Sequence, residues 1–483
     1  MREQGRNTAN KAGQAERFPR VMIAAPKSGS GKTMITCGLL RAFLRRGKRV
    51  AAFKCGPDYI DPQFHETVVG APSRNLDPFF TDGPMTRYLF GRQARQAELS
   101  VIEGVMGYYD GLGGTSDQAS AYNLANMTET PVIFVMDARG MSLSALAQLK
   151  GFLEFRADSR IRGVVFNRMS KSMYQLLAPM VEETLGVKPL GYVPECPDCR
   201  LESRHLGLVL PGEVEDLSGQ LDRLAKALEE TVDLDGILEL AAEAPKLSTE
   251  MPSELSKLLE SPQAEEIRRS APVIGVARDE AFSFFYADNL RLLEELGAKI
   301  RWFSPLRESR LPDDVQGLLF YGGYPELCAK ELSQNASMRR ELKEALAQGM
   351  PCMAECGGYM YLSETMEDME GNVWPMVGAV PGTVFRTGRL GRFGYIRLET
   401  ERTDVLGGGC GPLRGHEFHY FDSTDCGKVF HAQKPNRKRS WDCIHGTKTL
   451  MAGFPHLYYH ACPGLALDFL KKCCEYGGKK ICG

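Results

Sequence analysis

The chain has 483 residues, 43% of them hydrophobic, with 59 Lys and Arg against 61 Asp and Glu and a net charge of −2. That length holds two or more domains, each able to bury a core, and the balanced charge excludes an overall basic field of the kind that gathers nucleic acid. No apolar run reaches membrane-spanning length, no secretory signal stands at the start, and fourteen cysteines in so long a chain predict a reducing, cytoplasmic compartment instead of a disulfide scaffold.

Residues 1–20 are polar and read as a disordered leader. Residues 21–25 (VMIAA) read as a short buried strand, and 34–46 are apolar at helical spacing up to Gly47. Between them lies PKSGSGKT, with Lys27, Gly29, Ser30, Gly31, Lys32 and Thr33. Strand, Gly-rich loop and helix are the context of a phosphate-binding loop: backbone N–H groups and the helix N-terminus hold the polyphosphate of ATP. Lys32 is placed to reach the outer phosphates and the Thr33 hydroxyl to bind Mg²⁺. The first glycine of the usual pattern is replaced by Pro26, and Lys27 stands five residues before Lys32, a spacing that resembles the variant loop of MinD/ParA-type ATPases.

A second strand, 49–54, runs into CGPDYIDP, where Asp58 and Asp61 flank Tyr59 and Ile60. Pro57 and Pro62 predict a stiff, non-helical loop at the C-terminal end of a strand, where open α/β sheets place ligands. A third strand, 99–103, ends in Glu103 and leads into GVMGYYDG. Any one of these acids alone reads as a turn cap. Three at strand ends beside a phosphate loop point to Mg²⁺ and to catalysis. Strands at 131–137 and 161–167 follow, the latter ending in Asn167, whose amide suits the edge of an adenine or a turn. A short strand at 190–194 completes a mainly parallel sheet.

Residues 238–270 are rich in Glu, Lys, Ser and Pro and read as helices and a linker, with a domain boundary near Ala271. A second α/β pattern begins at 271–277 and includes GGYPE at 322–326 and PCMAECGGYMYL at 351–362. Cys356 stands on a tight strand-to-helix turn, an exposed nucleophile whose thiol pKa the helix N-terminus is expected to lower. A thiolate nucleophile needs a base, and His416, His419, His456 and His460 are all candidates. Cys196 and Cys199 form a CPDC pair without a second ligand pair, and Cys462, Cys473, Cys474 and Cys482 read as packing thiols.

The phosphate loop, GPDYIDP, EGVMGYYDG, GGYPE, AECGGYMYL and GHEFHY, in that order, resemble the cobyrinic acid a,c-diamide synthase family and its relatives that amidate Ni-sirohydrochlorin. The resemblance spans residues 21 to about 470. It implies an α/β protein of two parts: a P-loop, dethiobiotin synthetase-like parallel-sheet domain (21–237) and, after the linker, a class I glutamine amidotransferase-like α/β domain (271–483). The implied chemistry is ATP-dependent activation of a tetrapyrrole carboxylate as an acyl phosphate. Ammonia released from glutamine, and guided to that site, would then attack it. By the same resemblance Cys356 is the nucleophile, Gly322 and Gly323 help form the oxyanion hole, and His456 is the base. Its motif partner two residues on is Tyr458, so no acid follows His456. Asp58 and Asp61 would bind metal or stabilise the intermediate, Tyr59 and Ile60 would face the substrate, and Glu103 would hold Mg²⁺. The implied partners are ATP, glutamine and the tetrapyrrole; neither nucleic acid nor a membrane is expected, and a homodimer is compatible. A MinD/ParA-like nucleotide switch with a non-catalytic second domain is the alternative of another class.

Overall fold

Seven short strands, most of them rich in buried apolar residues, form the first sheet of the computed structural model, which describes residues 15–195, 203–204, 207–208 and 217–482. They are Arg20–Ala24 (β1), Val50–Cys55 (β2), Ser73–Leu76 (β3), Leu99–Glu103 (β4), Val132–Asp137 (β5), Ile161–Asn167 (β6) and Lys188–Val193 (β7). The order is β3-β2-β4-β1-β5-β6-β7 and every pairing is parallel. Near-continuous burial of β1, β2, β4 and β5 fits a sheet covered on both faces. The edge strand β3 (SRNL) escapes the sequence pattern, being four residues long and mostly polar.

The chain divides into two units, Met1–Pro252 and Ser253–Gly483. Helices Ser253–Leu259 and Pro262–Ser270 group with the second unit, ahead of the boundary expected near Ala271. The expected leader is a correction in part. Residues 1–14 lie outside the described residues, but from Glu16 the chain is built into the first unit. Glu16 and Leu247 exchange backbone hydrogen bonds of 3.1 and 2.8 Å, and Phe18 is buried. Arg20 is fully buried, its guanidinium donating to the carbonyls of Phe18, Thr128 and Pro245 at 2.9–3.0 Å. Those acceptors satisfy a charge that burial would otherwise make costly.

The prediction of a non-helical loop through Pro62 is also corrected. Ile60–Phe64 (α2) is a short helix that includes it. Proline sits in the first turn, where its missing N–H has no intrahelical partner to lose.

In the second unit, strands Val273–Ala277, Lys299–Phe303, Gly317–Phe320, Cys352–Glu355 and Leu450–Gly453 pair in parallel, with His445–Gly446 antiparallel at one edge. Two further sheets lie in this unit. One comprises Val373–Pro375, Thr365–Glu367, Thr383–Arg386 and Phe421–Ser423. The other comprises Ser440–Cys443, Phe430–Gln433, Phe393–Glu399, Leu413–Phe418 and His456–Leu457. Among the described residues no helix is long and apolar enough to cross a membrane. Cys196 and Cys199 lie outside the described residues; Cys462, Cys473 and Cys474 are free thiols.

Candidate active sites

Helix Lys32–Arg45 (α1) follows β1 through the loop 25–31, so its N-terminus opens at the C-terminal end of the sheet. Gly31 has φ +97°, and a Cβ there would meet the Asn167 amide nitrogen at 2.3 Å. Only glycine fits both the conformation and the approach. Asn167 Nδ2 donates to Ser30 O at 2.9 Å, which commits that N–H to bracing the loop. Lys27 and Gly29 are exposed. Lys32 Nζ donates to Met106 O at 2.5 Å and Lys27 O at 3.2 Å. Burial, and then the charge of Lys54, pushes Lys32 down to about 8.

The Thr33 hydroxyl donates to Glu103 Oε1 at 2.5 Å. The same oxygen lies 2.8 Å from Lys54 Nζ, which also contacts Asp61 Oδ2. Lys54, Asp61 and Glu103 are buried, and Thr33 is half-buried. Burial opposes charge on Lys54, but Asp61 and Glu103 outweigh it and hold the ammonium well above its ordinary value. Burial likewise opposes charge on Glu103, yet Lys54 and His65 hold it well below the usual carboxylate range. Asp61 is the reluctant anion: burial and the charges of Asp58 and Glu103 push it up more than Lys54 pulls it down. His65 completes the cluster, with Nε2 3.2 Å from Glu103 Oε2 and Nδ1 3.2 Å from Ser73 Oγ. Asp58 Oδ1 accepts from the Ile60 and Asp61 amides at 2.8 and 3.4 Å, and the Tyr59 and Ile60 side chains are buried.

Mg²⁺ takes oxygen ligands and draws most of them from phosphate and water, so one or two protein oxygens suffice. The converging Thr33 hydroxyl and Glu103 carboxylate fit that requirement.

In the second unit Cys356 has φ +48° and ψ −109°, a strained conformation for a residue with a side chain. It sits between strand Cys352–Glu355 and helix Gly357–Leu362, and its amide donates to Gly453 O at 2.8 Å. His456 lies three residues beyond Gly453, paired with His416 across antiparallel strands. Gly322 brings the GGYPE segment to the imidazole: a Cβ on Gly322 would stand 2.6 Å from His456 Cε1. A Cβ on Gly357 would stand 3.1 Å from Gly323 N, so that amide borders the Cys356 turn. His419 is turned elsewhere, stacked on Phe454 with ring centroids 4.0 Å apart and Nδ1 2.6 Å from Phe421 O. His460 is buried beside Tyr458.

The expectation of a lowered Cys356 pKa is corrected. Burial raises it, the Glu326 carboxylate adds to the rise, and the Gly357 N–H opposes them without winning. Nucleophilic attack therefore requires a base to take the thiol proton. Burial and the neighbouring His419 put His456 at about 3, so it is neutral and able to accept.

Two family models cover the two units. The CobQ/CobB/MinD/ParA nucleotide binding domain matches residues 21–209, and the CobB/CobQ-like glutamine amidotransferase domain matches residues 273–462. A cobyrinate a,c-diamide synthase of Caldanaerobacter subterraneus subsp. tengcongensis is 37% identical over 95% of this chain and 99% of its own. Another of the same name, from Thermoplasma volcanium, is 37% identical over 96% and 99%. A third, from Fusobacterium nucleatum, is 38% identical over 91% and 97%. The chain belongs to the cobyrinate a,c-diamide synthase family.

Three members of these sites were passed over in the sequence: Lys54, His65 and Glu355. Lys54 stands next to the end of a buried strand, and a lysine there requires counter-charges; register pairs it directly with Glu103. Glu355 ends another buried strand, immediately before Cys356. For Lys54 and Glu355 the signal was an ionisable residue at the close of an apolar run; His65 carried none.

Proposed function

We propose that the chain catalyses ATP- and glutamine-dependent amidation of the a and c acetate carboxylates of cobyrinic acid. Full-length likeness to relatives bearing that name carries the reading. The phosphate loop binds ATP through Gly29, Ser30, Gly31 and Lys32, with Asn167 bracing it and Lys27 at its rim. Thr33 and Glu103, with Asp58 alongside, hold Mg²⁺, which when bound offsets phosphate charge. Asp61 and Asp58 steady the activated carboxylate, and the Tyr59–Ile60 segment shapes the substrate's seat. A carboxylate cannot expel oxide at neutral pH, so phosphorylation supplies the leaving group.

Cys356 attacks the glutamine carboxamide. The backbone of Gly322 and Gly323 receives the oxyanion, and His456 takes the thiol proton and returns it to the departing nitrogen. Ammonia leaves neutral and nucleophilic. Water then cleaves the thioester, releasing glutamate. A cytoplasmic enzyme is expected, and a homodimer is compatible.

The test is the mass of the product after incubation with ATP, Mg²⁺, glutamine and cobyrinic acid and, separately, Ni-sirohydrochlorin. Conversion of two carboxylates of cobyrinic acid to carboxamides supports the reading. Turnover of Ni-sirohydrochlorin alone replaces the substrate, and turnover of neither favours a nucleotide switch.

A further inference from the structure

His456 lacks the acid two residues downstream that would hold an imidazole in many glutaminases; Tyr458 stands there, donating to Asp288 Oδ2 at 3.2 Å. We propose that Glu355, the residue before the nucleophile, is the positioning residue for His456. This rests on the glutaminase reading above.

Glu355 Oε2 lies 3.7 Å from His456 Nδ1, and the side chains are 4% and 3% exposed. That separation is one small rotation from a hydrogen bond, and such contacts tighten when substrate arrives. Neither carboxylate oxygen of Glu355 makes another hydrogen bond of ordinary geometry with a described group, although the Leu457 N–H favours its charged form. Nδ1–H held against the carboxylate leaves Nε2 as the basic nitrogen, the tautomer that can accept the Cys356 proton. When that proton arrives, the imidazolium and carboxylate form a buried pair. Burial drives both groups toward neutral in the resting protein; a proton arriving on the imidazole favours the charged carboxylate, and the carboxylate in turn favours the imidazolium.

The geometry also follows from the chain. Glu355 and Gly453 are register partners on adjacent parallel strands, and His456 is three residues past Gly453. One strand end therefore presents carboxylate and thiol in succession, and its neighbour brings the imidazole to the carboxylate. The other titratable groups facing this pair are His416, with its ring centroid 6.5 Å from that of His456, together with His419, Tyr321, Tyr459 and Cys356, the last with Glu326 and Glu417 acting on it.

The test compares wild type, Glu355→Gln and Glu355→Asp in steady-state glutamine hydrolysis across pH, with ATP and the tetrapyrrole present. In Glu355→Gln, kcat is expected to fall at least about 10-fold with KM for glutamine within about twofold, as for a group acting on the transition state. The acidic limb of the kcat/KM profile should move at least about one unit lower, because loss of a carboxylate makes the imidazole less basic. Glu355→Asp should recover part of the rate. An unmoved limb, whatever the fall in rate, overturns the positioning role. A wild type that hydrolyses no glutamine overturns the glutaminase reading itself.

Discussion

The Lys54 ammonium lies 2.8 Å from Glu103 Oε1, at directly paired positions on adjacent parallel strands. The arrangement places a fixed positive charge beside the mouth of the phosphate loop, where the Thr33 hydroxyl shares the same carboxylate oxygen.

This pairing ranks the acids for stability. Glu103→Gln leaves Lys54 buried with the reluctant Asp61 as its contact and Asp58 acting from further off, and should cost about 3–5 kcal/mol. Asp61→Asn should cost less. Chemical denaturation of both variants checks the order. Glu103 has a folded pKa below its unfolded value, so its contribution is present above about pH 4.3 and is lost as pH falls toward the folded value.

Lys32 sets a pH dependence for nucleotide binding. At about 8 in the ligand-free protein, it is charged below that pH and neutral above it. ATP should therefore bind more weakly as pH rises past about 8, with uptake of a proton on binding. Calorimetry in buffers of different ionisation enthalpy measures that uptake. Lys32→Arg, whose charge does not titrate, should bind without it.

Cys356→Ser should reduce glutamine-dependent amidation to background while amidation continues with ammonium at alkaline pH. Loss of both activities, with melting behaviour unchanged, would assign Cys356 a different role.

Gly322→Ala places a methyl group 2.6 Å from His456 Cε1. The ring must shift, and a displacement of about 1 Å can cost about 10²-fold in rate. Glutaminase kcat should fall on that scale, with ammonium-dependent amidation near wild type. Parallel assays with the two nitrogen sources check this.

The parallel sheet was readable because short, mainly apolar runs recur between helical stretches, two of them closing on a polar side chain, Glu103 and Asn167. The phosphate loop was readable because a glycine-rich turn has little other use between a strand and a helix. The two smaller sheets built from residues 365–457 were not, because several of their strands alternate exposed and buried positions over only three to seven residues. Side-chain pairings across strands, such as Lys54 with Glu103 or Glu355 with His456, depend on register, which a linear pattern does not carry. The thiol of Cys356 was misjudged for a related reason: a helix end is visible in sequence, whereas the depth of burial around it is not.

The clasp between Glu16 and Leu247, reinforced by Arg20 reaching Pro245 O, has a practical consequence. In the ATP-binding unit, Glu16 and Arg20 are thus tied by hydrogen bonds to residues 245–247, a few positions before the division after Pro252. That unit should fold as a separate polypeptide, able to be supplied with ammonium instead of its natural nitrogen donor.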